Sequence, residues 1–224
     1  MTRLPLGTGT EGETSMGTAF GAEFRRVENR EYLGKPALVA VAVRTYDTTV
    51  TDLWEAITIP ERLARWFLPV EGDLKLGGRY QLKGNAGGTI CRCEPPEALD
   101  ITWEYGGGTS WVTVRLEPKG EAAGLTLEHI AHTEGIGAEH LAKYGPGAVG
   151  IGWDLGLYGL ERHIADPATP LDPAAIEAWT MSSDGKAFMR GSGEAWGAAH
   201  IASGEPADEA GAKANRTIAF YTGE

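Results

Sequence analysis

The stretch GTICRCEPPEALDITWEY, residues 88–105, alternates apolar and polar side chains on either side of Pro95 and Pro96. Such alternation is typical of β-strands with one buried face, and prolines interrupt strand pairing because they lack an amide N–H. The same alternation recurs in GDLKL, RYQL, SWVTVRL and GLTLEHI, with glycine- or proline-containing turns between the segments. Six short strands joined by five short connections predict an antiparallel meander.

Helical periodicity replaces this alternation on both sides of the meander. Upstream, Thr49 and Asp52 have the spacing of a capping box at the start of a short helix. Thr58 and Glu61 repeat this spacing, and residues 58–69 predict a second short helix that begins at this cap and ends before Pro69. Downstream, residues 146–164 predict one long amphipathic helix, which four glycines interrupt at positions 150, 152, 156 and 159. Each glycine costs about 1 kcal/mol of helix propensity relative to alanine, so we expect a compensating close approach to a sheet or a ligand.

The order of the predicted elements indicates the fold class. Residues 18–29 and 32–46 predict a hairpin ahead of the two short helices, and the meander and the long helix follow. A sheet and an amphipathic helix each have one apolar side to bury. We therefore predict an α+β fold in which a curved antiparallel sheet packs against the long helix.

Composition divides the chain into three predicted parts. Residues 1–17 are rich in Gly and Thr without apolar periodicity, which predicts a flexible tail. The folded domain is predicted to span residues 18–166. The proline-rich stretch DPATPLDP then leads into a predicted helical extension, residues 167–224, with Phe188 and Trp196 among its main apolar anchors.

Charge and hydropathy exclude several classes of partner. The chain has 20 Lys and Arg against 31 Asp and Glu, a formal net charge of −11, which repels phosphate backbones and anionic headgroups. We therefore expect no nucleic acid and no membrane as partners. The longest uncharged apolar run, Ala37–Val43, is too short to span a bilayer, and the first twenty residues lack the apolar core of a signal peptide. The sequence predicts a cytoplasmic protein.

Several motifs in register resemble a known family. In order, WFLPVEGDLKLGGRYQL, GTICRCEPPEALDITWEY, SWVTVRL, LTLEH and GIGWDLGLYGL resemble the Hsp90-ATPase-activator-homologue-like branch of the SRPBCC superfamily, across roughly residues 39–165. The resemblance implies the START or Bet v 1 helix-grip fold, in which a curved sheet wraps around a long C-terminal helix. It also implies a cavity between sheet and helix that holds apolar or amphipathic small molecules in relatives, and it implies no fixed reaction.

Strand alternation and helical spacing select the side chains that would face this cavity. Trp103 shares a strand face with Ile101, and His129 shares one with Leu127. The ligand-binding candidates are Trp66, Phe67, Tyr80, Trp103, His129, Trp153 and Leu157. Two roles stay open for His129. It is either a structural histidine with a hydrogen-bond partner inside the protein, or a ligand-binding group that donates to a ligand carboxylate when protonated. Asp154 is expected to face solvent or to cap a neighbouring element.

Sequence motifs for metal binding or catalysis are weak. Cys91 and Cys93, two apart in one strand, are predicted to share a face as small residues with reduced thiols. A zinc site would need two further ligands, whereas His129 and His132, three apart in a strand, point to opposite faces. The sequence contains no convincing serine elbow and no cysteine with a nearby base. We predict no metal and no cofactor, and we assign no catalytic residue.

Three functions remain open at this stage. The favoured one is non-catalytic binding of an apolar or amphipathic small molecule in the cavity. The second is a polyketide cyclase- or dehydratase-like enzyme, for which His129 and Tyr80 form the one acid–base pair that the sequence offers. The third, a chaperone co-factor of the Hsp90 type, is less favoured because eukaryotic activators have a separate N-terminal domain and about 36 residues precede the core here. The extension is expected to pack outside the sheet, close the cavity or form a homodimer interface.

Overall fold

The computed structural model describes residues 21–169 and 172–224, so the predicted tail and the predicted domain start at residue 18 lie outside the described residues. The strands are β1 (Phe24–Tyr32), β2 (Lys35–Tyr46), β3 (Val70–Gly72), β4 (Arg79–Leu82), β5 (Gly87–Glu94), β6 (Ala98–Tyr105), β7 (Gly108–Lys119) and β8 (Ala122–His132). They form one antiparallel sheet in the order β1-β2-β8-β7-β6-β5-β4-β3. The predicted meander is confirmed, and so is the hairpin, although its first strand runs over Phe24–Tyr32 and not over residues 18–29.

Seven helices are assigned in the described residues. They are α1 (Val50–Thr58), α2 (Pro60–Leu63), α3 (Ala138–Tyr144), α4 (Gly147–Ala165), α5 (Pro173–Met181), α6 (Ser183–Ala202) and α7 (Ala207–Thr222). The predicted cap of α1 is confirmed, because the Thr49 hydroxyl accepts a hydrogen bond from the Asp52 amide at 3.2 Å. Across the described ranges, no helix is long and apolar enough to cross a bilayer.

The hairpin joins the meander through β2, which pairs with β8 along its length, with Val41 opposite Glu128. Because β2 and β3 lie near opposite ends of the strand order, α1 and α2 carry the chain across the sheet. The inner face of the sheet, together with α1 and α4, forms the main core. The α+β helix-grip arrangement predicted from the sequence is therefore confirmed.

Two predicted elements differ from the structure. The strand predicted at GDLKL is replaced by β3 at residues 70–72 and a turn, in which the Asp73 carbonyl accepts from the Lys75 amide at 2.8 Å. The second short helix, α2, ends at Leu63 and does not extend to Pro69. The predicted cap of α2 by Thr58 is wrong because the Thr58 hydroxyl donates back into α1.

Apolar residues on the outer face of the sheet are also buried. Val39 and Val41 point away from the core of the inner face, yet both are almost fully buried. Arg30 of β1 donates to Glu128 of β8 at 2.6 Å, and this ion pair spans β2, which lies between them. Tyr32, Val43 and Trp111 pack against this outer apolar cluster, and the Arg30–Glu128 ion pair lies at its edge with both side chains partly exposed.

The C-terminal extension packs on α4 through a buried carboxylate. Asp154 is fully buried, so the expectation that it faces solvent is wrong. It accepts hydrogen bonds from the Ala22 amide (2.9 Å), Arg25 Nε (3.0 Å), Ser192 Oγ (2.5 Å) and Trp196 Nε1 (3.0 Å). A buried charge needs such partners, and here they come from two distant parts of the chain, the segment around the start of β1 and the helix α6. Whether the extension is separable at residue 166 stays a prediction.

The glycines of α4 make room for aromatic side chains. A Cβ at Gly150 would overlap the indole of Trp196, and one at Gly159 would lie 2.8 Å from the carbonyl oxygen of Trp66. At Gly156 a Cβ would lie 3.6 Å from the ring of Phe67. The expected close approach is confirmed, but aromatic residues of the extension and of the turn after α2 make it, and not the sheet.

Candidate functional site

A cavity of about 180 Å³ lies between the inner face of the sheet, α4 and the segment that contains α1 and α2. Its wall is almost entirely apolar. The lining residues are Ile57, Thr58, Leu63, Trp66, Phe67, Val70, Leu74, Tyr80, Leu82, Ile90, Cys93, Leu99, Ile101, Trp103, Val112, Val114, Leu125, Leu127, Trp153, Gly156, Leu157 and Leu160. Leu74 is 39% exposed, which places the side of the cavity near the turn after β3 closest to solvent.

Aromatic rings surround one end of this space. The rings of Phe67 and Trp153 are nearly parallel, at 16°, with centroids 6.1 Å apart. Trp103 lies 5.2 Å from Trp153 at 60°, and Trp66 lies 5.4 Å from Phe67. Aromatic rings prefer offset-stacked or edge-on neighbours at these separations, so a planar guest would find both kinds of contact.

Two of these rings, Trp66 and Phe67, are positioned by the turn that follows the end of α2. The amides of Trp66 and Phe67 both donate to the Leu63 carbonyl, at 3.3 and 2.9 Å, which turns the chain back over α4. The Trp66 indole donates to the carbonyl of Ala56 at 2.9 Å and so fixes this turn on α1. The missing side chain at Gly156 then lets the Phe67 ring approach the helix.

Four polar side chains of the wall donate their hydrogens to acceptors within the protein. The pairs are Thr58 Oγ1 with the Trp54 carbonyl (2.6 Å), Trp66 Nε1 with the Ala56 carbonyl (2.9 Å), Tyr80 Oη with the Thr102 carbonyl (2.7 Å) and Trp153 Nε1 with His129 Nδ1 (3.0 Å). Burial raises the pKa of Tyr80 well above its ordinary value, so its hydroxyl keeps its proton. These groups are therefore not free to donate to a ligand.

His129 lies behind the aromatic wall and is 4% exposed. Its Nδ1 accepts from the Trp153 indole, and its Nε2 is 2.8 Å from Ser110 Oγ. Desolvation lowers the pKa of His129 to about 4, so the ring is neutral at physiological pH. The hypothesis that its imidazolium binds a ligand carboxylate does not fit this environment.

Ser110 and His129 have the spacing of a nucleophile and its base but the wrong proton arrangement. An indole N–H can only donate, so Nδ1 carries no proton, and the neutral ring must carry its proton on Nε2. Nε2–H then donates to Ser110 and cannot accept the serine proton, as a general base would. The hydroxyl of Tyr80, the other half of the proposed acid–base pair, donates a hydrogen bond to the carbonyl oxygen of Thr102. The geometry therefore gives no support to acid–base chemistry by these groups.

Six of the seven predicted ligand-binding residues line the cavity, namely Trp66, Phe67, Tyr80, Trp103, Trp153 and Leu157. The seventh candidate, His129, is buried behind the wall and is not one of the described residues that line the cavity. Gly156 also lines the cavity; it was not among the ligand-binding candidates, although the sequence marked it as one of four helix glycines that need a close approach. Whether these residues bind a ligand stays a prediction.

The two cysteines do not share a face, contrary to the prediction. The pairing of β5 with β6 shifts register between Ile90 and Arg92, so Cys91 is an extra residue in a bulge. As a result Ile90 and Cys93 both line the cavity and Cys91 is exposed. Within residues 21–169 and 172–224, no three His, Cys, Asp or Glu side chains cluster in a way that could hold a metal ion.

Comparisons with known proteins agree with this architecture. The sequence pattern of the family described as "Activator of Hsp90 ATPase homolog 1-like protein" matches residues 47–165. The crystal structure of CalU16 from Micromonospora echinospora is similar at 33% identity, over 79% of this chain and 96% of that one, with a TM-score of 0.59. The solution NMR structure of CalU16 gives a TM-score of 0.66 at 33% identity, over 80% and 96% of the two chains.

A third similar structure supports the fold alone. It is EF2215 from Enterococcus faecalis, a conserved protein of unknown function, at 15% identity over 72% of this chain and 90% of that one, with a TM-score of 0.51. Among curated proteins, none matches this chain.

Proposed function

The chain belongs to the family of Activator of Hsp90 ATPase homolog 1-like proteins, and on this premise we propose that it binds a compact, planar, apolar small molecule without transforming it. The observation that carries the proposal is the apolar cavity of about 180 Å³, with aromatic rings at one end and four polar side chains already bonded inside the protein. A pocket of this composition favours the binding of apolar ligands and offers few groups that could form hydrogen bonds with a polar one.

The volume of the cavity limits the size of the ligand. Apolar cavities of about 150 Å³ stay dry and hold benzene, whereas sites for drug-sized ligands have roughly 300–1,000 Å³. At about 180 Å³ this cavity fits one ring or two fused rings better than a long acyl chain. The nearly parallel rings of Phe67 and Trp153 favour a flat guest.

Naphthalene binding tests the proposal. Titration of the whole protein with naphthalene, followed by calorimetry, is expected to give saturable binding with one site. Trp103→Ala should weaken it roughly three- to tenfold, because an aromatic contact is lost. Trp111→Ala is the matched control, since Trp111 packs with Tyr32 and His132 on the outer face of the sheet.

A native ligand is sought in parallel, by mass spectrometry of whatever organic solvent releases from the purified protein. A compact aromatic compound in the extract would support the proposal. Absence of naphthalene binding by the wild-type protein, together with an empty extract, would refute it. Equal weakening by Trp103→Ala and Trp111→Ala would also contradict it, because the effect would then not be specific to the cavity.

A further inference from the structure

We propose that His129 is a positioning residue: with Ser110 it fixes the indole plane of Trp153 on the cavity wall, which favours flat guests over puckered ones. The effect on ligands rests on the proposed function above. The placement of the ring does not, because it follows from hydrogen bonds between described residues.

The hydrogen bonds form a chain with one possible direction. Trp153 Nε1–H donates to His129 Nδ1 at 3.0 Å, and His129 Nε2–H donates to Ser110 Oγ at 2.8 Å. Ser110 Oγ–H in turn donates to the carbonyl of Trp103 at 3.3 Å. Because an indole is a donor only, the first bond sets the tautomer of the histidine and the second sets the serine as acceptor. The chain thus links two tryptophans of the wall through a histidine behind them.

Neighbouring positions on α4 offer Trp153 apolar contact but no hydrogen-bond partner. The positions four residues before and after it carry Val149 and Leu157, and the positions three residues away are Gly150 and Gly156, which have no side chains. The rings of Trp103 and Phe67 also pack against the indole of Trp153. The hydrogen bond from Nε1 to His129 adds a directional contact to this packing, because it holds the Nε1 edge of the indole toward His129.

A histidine at this position needs a physical reason. Residue 129 follows Leu125 and Leu127 on the inner face of β8, and a leucine there would fill buried space without needing polar partners. The buried imidazole instead uses both nitrogens in hydrogen bonds, so it is satisfied and unavailable to a ligand. Orientation of Trp153 is the role that accounts for both bonds.

Nitrogen-15 NMR tests the hydrogen-bond chain without any ligand. In the wild-type protein we expect the Nε2–H tautomer of His129, and slow exchange of the Trp153 indole proton, assigned by its loss in Trp153→Phe. His129→Asn keeps an acceptor close to the position of Nδ1 and should retain slow exchange. His129→Leu removes the acceptor and should speed exchange. His132→Leu, three residues along the strand and on the outer face, is the matched control.

Shape selection is measured with toluene and methylcyclohexane, which have the same carbon skeleton but differ in planarity. We expect the ratio of their dissociation constants to move toward methylcyclohexane by roughly three- to tenfold in His129→Leu, and to stay unchanged in His129→Asn and His132→Leu. An Nδ1–H tautomer, rapid indole exchange in the wild type or an unchanged ratio in folded His129→Leu would overturn the proposal. Slow exchange with no binding of either probe would refute the proposed function and still support the placement of Trp153.

Discussion

Gly156→Ala is expected to stabilise the protein and to weaken ligand binding at the same time. Replacing a glycine inside a helix with alanine contributes about 1 kcal/mol through helix propensity. The new methyl group would lie 3.6 Å from Phe67 and 4.0 Å from Trp66, which are ordinary contact distances, so no side chain has to move. Burial of this methyl adds up to about 0.8 kcal/mol. The free energy of unfolding should therefore rise by about 1–2 kcal/mol.

The same methyl group occupies space at the cavity wall, where Gly156 lies. Naphthalene affinity should fall although the protein is more stable, which separates the two effects. Urea unfolding followed by circular dichroism gives the stability, and calorimetric titration gives the affinity.

Two other glycines serve as controls. Gly211 lies in α7 with open space around a Cβ, so Gly211→Ala should give the propensity gain with unchanged binding. Gly150→Ala should destabilise the protein, because its methyl overlaps the Trp196 indole. If Gly156→Ala destabilised the protein by more than about 1 kcal/mol, the space beside Phe67 would be packed solid and the cavity argument would fail.

Three further predictions concern buried polar groups and thiols. The pKa of His129 is about 4 in the folded state and about 6.5 when unfolded, so stability should fall by about 3 kcal/mol as pH drops between these values. Urea unfolding of the wild type and of His129→Leu, measured from pH 7 to pH 4, tests this. An equal loss of stability in both proteins would contradict it. Asp154→Asn should cost roughly 3 kcal/mol, because it removes the charge that faces the largely buried Arg25, and an unchanged urea midpoint would refute that. Cys91→Ser should change neither stability nor naphthalene binding. Cys93→Ser should lower stability by about 1–2 kcal/mol, because it places a hydroxyl in the apolar wall of the cavity. Urea unfolding measures the stability of the two variants, and calorimetry measures their naphthalene binding.

Periodicity in the sequence predicts local structure well where the backbone is regular. The alternation around Trp103 places that side chain on the inner face, and helical spacing places Trp153 and Leu157 on the same side of α4. Four cavity residues, Tyr80, Trp103, Trp153 and Leu157, could be selected in this way, because an unbroken pleat or helix fixes the direction of each side chain. Trp66 and Phe67 also line the cavity, but they lie in the turn after α2, so the helical spacing that selected them does not explain their position.

Prediction fails where one residue breaks the period or where partners are distant in sequence. The bulge at Cys91 reverses the alternation, so Cys93 faces inward and Cys91 outward. Asp154 looks like a surface residue of a helix until α6 supplies Ser192 and Trp196. The tautomer of His129 follows from its tertiary contacts and from no feature of the local sequence.

The position of Asp154 also has a consequence for the order of events during synthesis on the ribosome. Its hydrogen-bond partners lie 132 residues earlier in the chain, at Ala22, and 42 residues later, at Trp196. The eight described strands leave the ribosome before α6 does. If α4 docked fully on the sheet at that time, it would bury the Asp154 carboxylate without its hydrogen-bond donors from α6. We therefore expect nascent chains that end near residue 166 to hold α4 loosely against the sheet. Emergence of Trp196 would then be the step at which the helix locks in place.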